Sequence, residues 1–259
     1  MPRLRCRHAL SDWETILNQC EPIMASEKHE DKEKRKKIIF MAANASMNLG
    51  QWDKLEKFIE VKQNENGIPI DEFPERNFFN IVMLIQKDKL DEAKLLIKKS
   101  RETLDSKVEP KNYFSYTLLY FKVSGLLLES YGRAYENVLK LQQLFEMEEV
   151  VDIKSFKEKI MKETRSEIQM ELSREFELKK KKLKDMWEDR LNGCERNIDI
   201  WQKILSVRSL LLNKNENMDS WLKFAKLALK SNQTNLCEKT LNSLKEVSKT
   251  IFKRKPFLI

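Results

Sequence analysis

Lys223, Lys226 and Lys230 recur at spacings of three, four and seven, and Arg196 and Lys203 lie seven apart. On an α-helix, positions seven apart differ by only about 20° around the axis, so each set places its cations on one face. Two such faces brought together by a helical hairpin would form a concave cationic surface suited to a polyanion. Spacing alone is met more often on an ordinary solvated basic surface, and both readings stand at this point. The setting is basic: Lys and Arg outnumber Asp and Glu two to one in residues 189–259, which accounts for nearly all of the net charge of +8. The run Lys179–Lys182 could serve as a nuclear-localisation or phosphate-binding patch. The neighbouring Glu171, Glu175 and Glu177 dilute it, and a solvated helical face describes it better.

Other chemistry finds little support. Cys6, Cys20, Cys194 and Cys237 are far apart and form no C-x-x-C pair, and the histidines are His8 and His29. Clustered metal ligands at short spacing are missing, so free reduced thiols and no metal are expected. The sequence holds no phosphate-cradling G-x-x-x-x-G-K-[ST], no G-x-G-x-x-G, no H-E-x-x-H and no G-x-S-x-G. Asp189-Arg190 begins like a kinase catalytic loop, but Cys194 stands where a metal-binding asparagine would be needed, and no Asp-Phe-Gly follows. A chain that is not itself an enzyme is expected.

The elements that must carry these residues are helices. The chain is 41% hydrophobic and 35% charged, with 5 Gly and 6 Pro, and no proline interrupts it between Pro110 and Pro256. Trp13, Trp52 and Leu90 each follow a polar turn signal, at intervals of 39 and 38 residues, a period that belongs to helical repeats. Each unit reads as an apolar helix, a short turn and a second amphipathic helix, as in "IIFMAANASMNLG" then "WDKLEKFIEV". In the helix opened by Leu90, Ala93, Leu96 and Ile97 complete one apolar stripe. Gly50 is expected to end its helix in a left-handed C-cap. Trp52 then wedges between the two helices, so that Trp52→Ala costs about 3–5 kcal/mol. Further hairpins are expected over 113–145 and over 218–247, the latter turning at 231–235, with a loop at 64–74. Trp201 and Trp221 fall on apolar stripes and read as core.

Residues 152–188 differ in character. Charges of both signs are dense there and apolar residues thin, which predicts one long solvated helix. The resulting division is 1–151, a helical-repeat array; 152–186, a charged helical insertion; and 187–259, a second stretch of repeats with a basic face. No segment has the apolar length of a membrane span, and the first ten residues lack a signal-peptide apolar region, so a cytoplasmic location is expected. Two other classes stay open: a free-standing helical-repeat adaptor with a peptide-binding groove, and a nucleic-acid binder using the basic quarter.

"LGQWDKLEKFI", "SYGRAYENVLKL", "MWEDRLNGCERNIDIWQKILSVRSLLL" and "MDSWLKFAKLALKS" resemble, in order, pieces of the FAT region of target-of-rapamycin (TOR) kinases, which are phosphatidylinositol-3-kinase-related serine/threonine protein kinases. The resemblance runs from about residue 8 to about residue 247 and is most specific from Trp187 to Ser231. Residues 152–186 match poorly, and "FKRKPFLI" at the end matches nothing in the family. The resemblance implies an all-α fold of tetratricopeptide-like helical-hairpin repeats forming an α-solenoid. It implies a scaffold that curls around a kinase domain and restrains it. The partners it implies are that kinase domain, the remaining helical repeats and TOR-complex subunits, with no nucleic acid and no membrane span. It further implies inositol hexakisphosphate as a bound polyanion, with no required cofactor, and carries the family's basic positions onto Arg196, Lys223 and Lys230 as part of the pocket.

Overall fold

A computed structural model describes residues 2–25, 32–60, 74–106 and 131–254. Among them are eleven helices: α1 (Pro2–Ala9), α2 (Trp13–Ala25), α3 (Lys32–Leu49), α4 (Trp52–Glu60), α5 (Pro74–Gln86), α6 (Leu90–Ser106), α7 (Tyr131–Lys162), α8 (Ser166–Gly193), α9 (Ile198–Arg208), α10 (Met218–Lys230) and α11 (Thr234–Arg254). Of the loop expected at 64–74, residues 64–73 lie outside the described residues and Pro74 opens α5; the first half of the hairpin expected over 113–145 and the end of the C-terminal tail also lie outside them. The chain forms two compact units. One joins Met1–Pro69 to Glu195–Ile259, and the other is Ile70–Cys194.

Four turns share one hydrogen-bond scheme. Ser11, Gly50, Asp88 and Asn232 have φ of 53°, 68°, 53° and 59°, in the left-handed region. In each turn this residue's N–H donates to the carbonyl three back, and the next N–H to the carbonyl five back. For Gly50 these bonds are Gly50 N to Met47 O at 3.1 Å and Gln51 N to Ser46 O at 2.9 Å, the Schellman arrangement that satisfies the last carbonyls of a helix. The residue after the left-handed one then opens the next helix. The carbonyls of Asp12, Gln51, Lys89 and Gln233 accept from Ile16, Leu55, Ala93 and Cys237. Helix starts therefore fall at Trp13, Trp52 and Leu90, as the period requires, and the hairpin turning at 231–235 is also present.

A Cβ built on Gly50 meets nothing within 4 Å. Gly50→Ala should therefore cost only the left-handed penalty, about 1 kcal/mol. The exposed Asn232→Gly, at the same point of another turn, should be neutral or slightly stabilising. Urea unfolding of both variants checks this. A Gly50→Ala loss well above 2 kcal/mol would mean that more than backbone conformation is at stake there.

In the unit built from both chain ends, α3 packs on α2 and on α4. Its Ala42, Ala43, Ala45 and Ser46 are buried, and such small side chains let two helices approach one axis. The facing stripes are Trp13, Ile16, Leu17 and Cys20 on α2, and Leu55 and Phe58 on α4. Trp52 is only partly buried, unlike Trp13. It starts a nine-residue helix that, among the described residues, packs mainly on α3, so it packs with one side open to solvent. In the other unit, Leu90, Ala93 and Ile97 bury the expected α6 stripe, and Leu96 is partly covered.

The single long helix expected across 152–188 is instead a hairpin that breaks at residues 163–165. Its arms run antiparallel. Glu149 meets Trp187 and Arg190, Phe156 stacks on Phe176 at 6.5 Å, and Gln169 Nε2 donates to the Ile160 carbonyl at 3.4 Å. At the break, the Glu163 carboxylate accepts from the Arg165 N–H at 3.2 Å. Part of the thin apolar set of this segment is thus spent between two helices, with Ile153, Ile160, Leu183 and Trp187 buried, while Ile168, Met170 and Leu178 stay exposed. Lys154 anchors α7 to the α5–α6 turn, with Nζ 3.0 Å from the Ile85 carbonyl and 2.9 Å from Asp88 Oδ1.

Each helix packs on its sequence neighbours within its unit, the nearest-neighbour logic of an α-solenoid. The fold is all-α, made of tetratricopeptide-like helical hairpins, and no strand occurs among the described residues.

Candidate functional site

The cations singled out in the basic quarter are carried by α9, α10 and the link that precedes α9. Asn197 caps α9, its side-chain oxygen accepting from the Asp199 N–H at 2.9 Å. Buried Trp201 reaches back, its Nε1 donating to the Glu195 carbonyl at 3.0 Å. These two bonds fix the link and set Arg196, exposed, just ahead of the α9 N-terminus. Anions favour that end of a helix, where unpaired N–H groups point outward.

On α10, Phe224, Ala225 and Ala228 form the buried face. Lys223 is half-buried, while Lys226 and Lys230 are exposed. Lys223 and Lys230 lie about 10 Å apart along the axis and within about 20° around it. Helix α10 packs on α9, so the elements that carry Arg196 and the two lysines are in contact.

Two features temper the charge. Asp199 and Asp219 open their helices four residues ahead of Lys203 and Lys223, at the spacing of helical ion pairs. Lys230 falls in the last turn of α10, where a cation also complements the helix dipole. The excess of Lys and Arg overstates the surface charge as well. Arg208, counted in it, is only 1% exposed. A lysine inside "NKNEN" reads from sequence as a solvated loop residue, yet Lys214 is half-buried. Its Nζ contacts Ser243 Oγ and lies 5.6 Å from the Trp221 ring centroid. Burial pulls this ammonium below the usual lysine value, against the raising influence of Glu246.

Several of the other residues singled out for chemistry serve packing. Arg190 forks onto Glu149 at 2.8 and 2.9 Å, and Trp187 Nε1 donates to the same carboxylate at 2.7 Å. The carboxylate holds the guanidinium above its ordinary value. Arg190 is thus half of a clamp between α7 and α8, while Asp189 is exposed. None of the four cysteines is in a disulfide, and burial pushes the Cys20 thiol up to about 11. No group of three metal-ligating side chains occurs among the described residues, and no helix among them is long and apolar enough to cross a membrane. Trp201 lies in the core, and Trp221 packs edge-on against Phe224 at 5.8 Å.

Comparison with known proteins covers the same ground. The model of the FAT domain matches residues 40–256. The chain is 30% identical over 253 residues to serine/threonine-protein kinase TOR of Oryza sativa, and 30% identical over 254 residues to that of Arabidopsis thaliana. Each alignment takes in 93% of this chain and 9% of the relative. Against TOR2 of Saccharomyces cerevisiae the identity is 29% over 246 residues, 95% of this chain and 8% of the relative. The chain thus spans about a tenth of the length of these curated relatives, and the family match takes in all of the unit Ile70–Cys194, the other unit from residue 40 on, and the basic quarter up to Lys255. With a family match over well more than half its length and an all-helical fold of hairpins, the chain belongs to the FAT-domain family.

Proposed function

We propose that this chain is a non-catalytic scaffold segment of a TOR-like serine/threonine protein kinase, which wraps and restrains the kinase domain in nutrient and growth signalling. The observation that carries the reading is the collinear match to TOR kinases of which the chain spans only about 9%. Its partners in this reading are the kinase domain, the remaining helical repeats and TOR-complex subunits, in the cytoplasm. Residues 152–186 are an insertion between the repeat stretches 1–151 and 187–259. Immunoprecipitation from source cells with an antibody against residues 187–231 tests the role. Serine/threonine kinase activity should co-precipitate, and its absence from an efficient precipitation would count against the reading.

Arg196, Lys223 and Lys230 form, in the same reading, part of an inositol-polyphosphate site. Lys223 and Lys230 share one face of α10, and Arg196 stands at the N-terminal end of the helix beside it. The double charge reversal Lys223→Glu with Lys230→Glu should abolish any rise in melting temperature produced by inositol hexakisphosphate, with the far-UV circular dichroism unchanged. A double variant that responds like the parent would remove these lysines from the site.

A further inference from the structure

Within the unit formed by both chain ends, a polar seam joins segments far apart in sequence. Helix α1 brings His8, the next turn Ser11, α3 Asn44 and Asn48, and α9 Gln202 and Ser206. Ser206 Oγ lies 2.9 Å from Asn48 Oδ1 and 2.8 Å from the Gln202 carbonyl, sharing one proton between them. Asn48 Nδ2 donates to the Asn44 carbonyl at 2.9 Å and to Asn44 Oδ1 at 3.2 Å. Asn44 Nδ2 then faces His8 Nε2 at 3.0 Å, and Ser11 Oγ donates to Gln202 Oε1 at 3.3 Å. Asn44, Gln202, Ser206 and Ser11 are all buried.

The sense of this chain is fixed by the Asn44 carbonyl, which can only accept. It holds Asn48 with its NH2 inward, so Asn44 turns its own NH2 to His8. Nε2 must then be the bare acceptor nitrogen, and the imidazole is neutral with its proton on Nδ1. A second proton on Nε2 would point at the Asn44 NH2. Reversing both amides to receive it would break the bond from Asn48 to the Asn44 carbonyl.

The other groups around the ring come from several elements. The Trp13 ring of α2 stands edge-on at 5.1 Å. From α9, the Asp199 carboxylate favours the charged ring and Lys203 opposes it. Arg7 and Asp12, on either side in the chain, pair with each other at 3.2 Å, and Asp12 also lies 3.8 Å from Lys239 of α11. The described side chains that α3 adds at the ring are the uncharged amides.

We propose that protonation of His8 opens this seam, so that mild acidification loosens α1 and the α1–α2 turn from α3 and α9 and makes closure of the unit pH-sensitive. Burial, the largest influence on the ring, holds it below the ordinary value of 6.5. The open state therefore takes up the proton first. Stability contributed by the seam is fully present above 6.5 and is lost as the pH falls from 6.5 toward the value of the closed form.

Hydrogen exchange of the full chain at pH 7.5 and 5.5, corrected for intrinsic rates, tests this. Protection of residues 2–12 should fall in the parent by up to about tenfold per pH unit below 6.5. His8→Gln should show no such fall, and His29→Gln should fall as the parent does. Constant protection in the parent, or an undiminished fall in His8→Gln, would overturn the proposal. Should His8→Gln fail to fold, the NMR titration of the parent's His8 ring decides. A midpoint below 6.5 upholds the neutral seam, and one at or above 6.5 refutes it.

Discussion

Trp187→Ala is expected to destabilise the unit of residues 70–194 by about 4–5 kcal/mol, the upper part of the range for removing a buried tryptophan. Trp187 is 1% exposed and among the largest fully buried side chains. It sits where α8 returns along α7, so the void left by an alanine opens between two long helices that cannot collapse locally. The indole N–H to Glu149 is lost as well. Glu149 keeps its two bonds to Arg190, so this contributes only about 1 kcal/mol. Trp187→Phe separates the two terms, because it keeps most of the packing and loses the bond, and about 1–2 kcal/mol is expected. Two compact units make a single global transition an unsafe readout. Exchange protection of residues 140–160 and 180–193 in urea is the appropriate measure, and a loss below about 1 kcal/mol for the alanine variant would contradict the packing described here.

In the other unit the largest single loss is expected at Trp13. Trp13→Ala should cost about 3–4 kcal/mol, and Trp52→Ala, at the matching point of the next hairpin, about half of that. The difference follows from burial, since Trp13 is 6% exposed and Trp52 remains partly open to solvent. Trp13 Nε1 is buried without a hydrogen-bond partner, which already carries a desolvation cost. Trp13→Phe removes that orphan donor along with part of the ring, so its loss should stay below about 1 kcal/mol. Urea denaturation of the three variants, followed by exchange in residues 13–20 and 38–47, gives the order. Equal losses for Trp13→Ala and Trp52→Ala would mean that the two turns bury their aromatics alike.

The repeats were legible because this turn leaves a signature. It needs one residue able to adopt left-handed φ and one that ends the first helix and opens the next, so Ser11, Gly50, Asp88 and Asn232 punctuate the chain without being the same residue type. Sequence places Trp13 and Trp52 at the same repeat position. Their unequal burial depends on which helices surround each, and no local pattern encodes that. The break in the charged segment was missed because neither Gly nor Pro marks it. The available hint was Thr164-Arg165-Ser166-Glu167, the S/T-x-x-E spacing of a helix start. The seam was beyond reach: Ser206 bonds Asn48 across 158 positions and Ser11 bonds Gln202 across 191. At the basic face, spacing identified the shared side of Lys223 and Lys230. It did not reveal that Arg208 is inside, or that Lys214 is half-buried beside Trp221 and Ser243.

The central claim, that this chain is a segment of a far larger TOR-like kinase, is tested most directly by the size of the native polypeptide on an immunoblot of source cells with an antibody against residues 187–231. A chain spanning about 9% of its relatives should be detected in a band many times larger than the 30.9 kDa of these 259 residues. A single band at 30.9 kDa would contradict the claim and make this a free-standing helical-repeat protein.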